Sequence, residues 1–188
     1  MPYREGILVS SNDWINTAAA GAEIEDEMIA LRLYRPSDTA RNLSHIDRFT
    51  FSLTDDPLLF FKASLTGHDT GEPELKDAEL VREGPYAYPE RATKVYFCRV
   101  RSRKESTLHD RYGSVDILNV NAKIESVLGE GPFIDRSDPR VDAMVYATRY
   151  PIATGSQREQ IKEKIEGLLQ EDDSTVGRMI MGWLGDEP

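Results

Sequence analysis

The sequence predicts a mainly β, α+β fold: an antiparallel barrel followed by a helical appendage. One early segment, 27–34, and one later one, 114–129, alternate apolar and polar residues at the period of strands. The joins between the early segments are short and polar. From residue 138 onward the spacing turns helical. Strands first and helices afterwards is the order of a barrel that carries helices, not of a parallel α/β sheet.

The elements follow from that pattern. "EGILVSS" (5–11) is rich in β-formers and stops at the turn sequence "SND". "WINTAAAGAEIED" (14–26) continues extended, with small residues in its middle. In "EMIALRLY" (27–34), Ile29, Leu31 and Leu33 alternate with Met28, Ala30, Arg32 and Tyr34, so one face is apolar. The acidic join between these two suits a hairpin. Ser37 opens a short helix to about Ile46, and "RFTFSLT" (48–54) returns as a strand. "DDPLLFFKASL" (55–65) starts a helix with an Asp cap and Pro57, whose missing N–H costs nothing in a first turn. Residues 66–92 are polar and rich in proline and glycine, which marks a lid or an insertion. Two long strands follow, 93–106 and 114–129. Helices are expected over 138–150, 156–170 and 173–184, with Ser156 as a cap and Ile161, Ile165, Leu168 and Leu169 on one face. The barrel therefore spans 1–135, and 136–188 is a helical segment packed on it.

Composition limits the function. The 188 residues suit one domain with an extension, and 39% hydrophobic with 30% charged residues reads as a folded, soluble chain. A net charge of −10 repels phosphate backbones, so nucleic-acid binding is not expected, while a small phosphorylated ligand in a local basic pocket stays open. Cys98 is the single cysteine and lies in "KVYFCRV", which makes it a buried strand residue and a reducing, cytoplasmic compartment the expectation. No signal peptide and no membrane-spanning run is evident. His45, His68 and His109 are scattered, so no metal site is expected. Dinucleotide, P-loop and nucleophile-elbow motifs are absent. Chemistry, if present, belongs to a bound cofactor.

Two constellations remain. In "RPSDTARN" (35–42), Ser37 caps a helix, a contribution of about 0.5–2 kcal/mol. The same junction can instead hold an anion, through Ser37 and Thr39 hydroxyls, the Asn42 amide and the Arg35 charge. In "NTAAAG" (16–21), small side chains either make room for a core neighbour or let a flat ligand lie against the backbone. Trp14, just ahead of them, is either a half-buried strand-end residue or an exposed aromatic that stacks on a ligand. Arg149 either complements a helix C-terminus or reaches a bound phosphate.

Taken in order, "INTAAAG", "YRPSDTARNL", "FTFSLTDDP" and "VDAMVYATRY" resemble the flavin reductase-like FMN-binding split barrels, and most closely their branch known as domain of unknown function 447. That branch reads roughly N-x-A-P-x-G, Y-x-G-S-x-T-x-x-N-L and V-V-N-V-T-D-D-P, then a helical I-E-x-x-V-x-A-T-R segment. Ala19, Pro36 and Ser52 stand here where the pattern has proline, glycine and asparagine, and Pro36 removes one backbone N–H from the junction. The resemblance implies a Greek-key split β-barrel, a homodimer with FMN at the subunit interface, and redox chemistry by hydride exchange at flavin N5 on an unspecified small-molecule substrate. It implies that Asn16, Thr17, Ala18 and Ala20 line the flavin, that Arg35, Ser37, Thr39 and Asn42 hold its phosphate, and that Arg149 reaches the phosphate or the dimer seam. A non-catalytic binding module, linked to pterin-dependent one-carbon metabolism, is the other function it allows.

Overall fold

The computed structural model describes residues 2–11, 14–65, 75–110, 113–151 and 153–186. The turn at 12–13, residues 66–74 of the polar stretch with His68, and the His109 side chain lie outside the described residues. Strands β1 (Tyr3–Ser11), β2 (Ile15–Glu25) and β3 (Met28–Tyr34) are joined in sequence, then helix α1 (Asp38–Leu43) precedes β4 (Arg48–Leu53). Helix α2 (Pro57–Leu65) leads to a single 3-10 turn at Asp77–Glu79 and the short strands β5 (Leu80–Glu83) and β6 (Tyr86–Pro89). Two long strands, β7 (Lys94–Asp110) and β8 (Gly113–Leu128), precede helices α3 (Pro139–Ala147), α4 (Ser156–Leu169) and α5 (Thr175–Asp186).

Six of these strands close into an antiparallel barrel in the order β1-β2-β3-β8-β7-β4. The alternation that marked the strands has a simple cause: one face of each goes inside. Leu8, Ile29, Leu31, Leu33, Phe49, Phe51, Leu53, Val120, Ala122 and Ile124 fill the interior. Their sequence neighbours Ile7, Val9 and Ile15 point the other way, into a second core with α2 to α5. Strand β1 thus divides two apolar clusters, and the helices are built onto the barrel wall. Asp56 caps α2, its carboxylate accepting from the Leu58 N–H at 2.9 Å, directly before Pro57.

One expectation needs correction. Ser156 does not cap α4; Gly155 does, at φ 49°, because the chain enters that helix through a left-handed turn that glycine adopts without strain. Of the polar stretch read as a lid or an insertion, residues 75–92 are ordered. They form the β5–β6 hairpin, turned at Gly84 with φ 57°, and it lies on the barrel, where the Thr50 hydroxyl donates to the Ala87 carbonyl at 2.6 Å.

Candidate functional site: the split edge of β2 and helix α1

The barrel is closed along most seams but barely along one. Strand β2 pairs with β1 from Ile15 to Glu23, yet it meets β3 only from Ala22 to Glu25. Along Ile15–Gly21 the outer edge of β2 has no strand partner among the described residues. That exposed edge carries the small residues: Ala18, Ala19, Ala20 and Gly21 are all half-buried. A Cβ added at Gly21 would sit 1.6 Å from the Tyr3 hydroxyl, so the half-exposed Tyr3 ring, which lies over Gly21, would have to swing aside.

One end of the split is plugged by α1, which packs against β1, β2 and β3. Here the two polar constellations meet. The Asn16 Nδ2 donates to Thr39 Oγ1 at 2.9 Å, and the Asn42 Nδ2 donates to Ser10 Oγ at 3.2 Å; all four residues are buried. Thr17 is fully buried beside them. Ser37 caps α1, accepting from the Ala40 N–H at 3.2 Å and donating to the Tyr34 carbonyl at 2.7 Å. Asp38, unwelcome beside an anion, turns away to pair with Arg41 at 2.7 Å. Arg35 extends outward and pairs with Glu105 at 2.9 Å. The hydroxyl of Thr39 accepts from Asn16, and no acceptor for its own proton lies among the described residues.

The remaining sequence candidates fall elsewhere. Trp14 precedes β2 and is 53% exposed. Arg149 follows the end of α3, and its charge acts on Tyr3 and Glu5, at the opposite end of β1 from Ser10. Cys98 is fully buried, and burial pushes its thiol well up, out of nucleophilic range. No cluster of metal-binding side chains occurs among the described residues.

Sequence reasoning missed three contributors. Ser10 ends an apolar strand and carries no motif of its own. Glu5 reads as a solvent residue near a strand start. Arg103 sits in a charged run of β7, yet it donates to the Leu43 carbonyl at 2.5 Å, the Ile46 carbonyl at 2.6 Å and Asp47 Oδ1 at 2.7 Å. It ties down the C-terminal end of α1 from across the barrel.

An antiparallel barrel opened along one seam, with a short polar helix at the opening, is the architecture of the split-barrel proteins. Residues 4–123 match the model described as protein of unknown function (DUF447) N-terminal domain, and the chain belongs to that family. Its fold is similar to that of the FMN-bound protein MM1853 from Methanosarcina mazei, itself of that family, with a TM-score of 0.71 and 18% identity over 97% of this chain and 93% of that one. It is also similar to the NADH:FAD oxidoreductase SgcE6 of Streptomyces globisporus C-1027 (TM-score 0.58, 8% identity, 72% of this chain and 80% of that one). Flavoredoxin from Methanosarcina acetivorans shares the fold at a TM-score of 0.52 and 13% identity, over 71% of this chain and 72% of that one. No curated protein matches the chain.

Proposed function

We propose that this chain is a flavoprotein that binds FMN along the split edge of β2 and acts in hydride exchange with a small-molecule substrate. The observation that carries this is the convergence of the β2 edge and α1, joined by the Asn16–Thr39 bond. The residues suit the group. A flat ring needs a surface without protruding side chains, and the half-buried run Ala18–Ala20 supplies one with backbone groups at its rim. A phosphate needs donors, and the Ser37 and Thr39 hydroxyls, the Asn42 amide and the Arg35 guanidinium all belong to α1 or to the turn that opens it. Ser37 and Asn42 donate to Tyr34 and Ser10, and Arg35 is paired to Glu105. Among the described residues no acceptor pairs with the Thr39 proton, which leaves it to the phosphate. Arg149 falls to the far end, at the ring side or the seam with a second copy.

FMN supplies the electron chemistry when bound, so the chain needs no nucleophile or metal of its own. Its residues hold, orient and shield. Similarity to the FMN-bound Methanosarcina protein supports the cofactor, and similarity to the oxidoreductases supports the redox reading. We assign a homodimer with the flavin at its interface. Supporting this, the far part of β7, Arg101–Leu108, is exposed on every residue, and among the described residues its strand pairing is with β8 alone. A cytoplasmic location fits the reduced Cys98. No helix among the described residues is long and apolar enough to cross a membrane.

The test is a titration of FMN into dialysed protein, followed by flavin fluorescence. Saturable one-to-one binding at micromolar FMN is expected, then bleaching of the bound flavin by NADH or NADPH. Absence of binding with FMN in excess removes the proposal. Binding without reduction by any donor leaves a flavin-holding module.

A further inference from the structure

A second site lies on the other face of β1. Tyr3, Glu5, Asp135, Arg136 and Ser137 line a cavity of about 310 Å³, at the lower end of the usual range for small-molecule sites, about 300–1,000 Å³. Glu5 is only 5% exposed, and its Oε1 has no hydrogen-bond partner. A buried carboxyl oxygen without a partner bears the full cost of losing water, larger still when the group is charged. Such a cost, carried on an otherwise apolar wall strand, points to a ligand that repays it. Burial holds the Glu5 carboxyl above its ordinary range, against the opposing charges of Arg136 and Arg149 and with the help of Asp142.

The surroundings select among ligands. Arg136 Nε donates to Asp142 at 2.7 Å, and Arg149 adds a second positive field, so a compact ammonium is disfavoured. Asp135 and Glu5 together disfavour a bare anion, and one Asp135 oxygen already accepts from the Ser137 N–H and hydroxyl at 2.8 and 2.6 Å. What remains is a neutral group with a donor and an acceptor side by side. A cyclic amide is such a group. Its N–H meets the orphan oxygen whether Glu5 is ionised or not, and its C=O takes the Glu5 proton or a guanidinium N–H. Tyr3, 52% exposed and set over Gly21, offers a ring face at the mouth.

We infer that the Tyr3–Glu5–Arg136 cavity binds a planar nitrogen heterocycle through its amide edge, with Glu5 as the recognising group. The site stands on its own cavity and does not depend on flavin binding. Glu5, paired with Gly21 across β1 and β2, places it at the end of the β2 edge away from α1.

Uracil is the probe and 1,3-dimethyluracil, which lacks both N–H groups, the control; binding is read from amide shifts of the intact chain by NMR. Uracil is expected to shift residues 3–5 and 135–137, at an affinity at least tenfold above the dimethyl compound. Glu5→Leu should abolish uracil binding while keeping or raising the melting temperature, since it removes an unpaired buried carboxyl. Tyr3→Leu, at an exposed position, should weaken uracil severalfold and guards against a folding defect at Glu5. FMN affinity should be unchanged in Glu5→Leu. Equal affinity for the two uracils, unaltered binding in Glu5→Leu, or displacement of uracil by FMN would each overturn the inference. Uracil binding in a protein that ignores FMN would uphold it and remove only the flavin proposal.

Discussion

Among single side chains, the Asn16–Thr39 pair decides most. Both are buried, and their bond links a strand to a helix 23 positions away in sequence. Thr39→Val keeps the shape but strands the Asn16 donor, a loss of about 1–3 kcal/mol where a neutral buried partner is orphaned. Urea unfolding should show that loss. Adding Asn16→Ala should cost far less than the sum of the two single changes, because the second removes a group already unpaired. Additive losses would mean that the two residues do not act on each other. The pair also explains what the sequence could and could not reveal here. Ser, Thr and Asn at one junction read as caps or as anion donors, and the structure divides them. Ser37 caps, while Thr39 and Asn42 turn inward to Asn16 and Ser10. Burial of a polar residue depends on a partner distant in the chain, and no local pattern carries that information.

Elements were legible where one face alone is buried. The alternation in β3 and β8 follows from a wall with an inside and an outside, so Ile29, Leu31 and Leu33 announce themselves. The β5–β6 hairpin was hidden because Pro85 and Pro89 argue against strands; it tolerates them as a two-stranded ribbon laid on β4. The split shows in no local pattern, since it consists of β2 pairing with β3 only from Ala22 onward; the family resemblance alone implied it. Helix α1 fills that gap and is too short to be stable alone. Arg103 holds it, with charge-assisted bonds to two carbonyls and Asp47. Arg103→Met keeps the aliphatic stem and deletes those bonds. It should lower stability by about 1.5–3 kcal/mol. It should also weaken FMN, although residue 103 is not proposed to touch the ligand. A stable variant with unchanged flavin affinity would show that α1 needs no anchor.

The two apolar clusters share a wall, which argues that the barrel and its helices unfold together. Leu8 belongs to the barrel interior while Ile7 and Val9 belong to the cluster that α2 to α5 cover. The helical segment is therefore proposed as the outer half of the core, distinct in sequence but not in folding. A chain ending at residue 135 would uncover Ile7, Val9, Leu59 and Phe60, which lie against Val141, Met144, Ile161, Ile165 and Ile180. Exposing four such side chains costs about 6–12 kcal/mol at about 1.5–3 each, as much as the total stability of a typical domain, about 5–15 kcal/mol. The intact chain should then melt in one calorimetric transition, and the shortened chain should show none and bind an apolar dye. Two transitions in the full chain, or a sharp melt in the short one, would mean that the barrel folds without its helices. The same shared wall sets the geometry of both proposed sites. The β2 edge and the Glu5 cavity lie at either side of one two-stranded ribbon, β1–β2, with Glu5 and Gly21 directly opposite in register. Displacing the helices would disturb Arg136 and Arg149, and through them the cavity, before it reached the Asn16–Thr39 end.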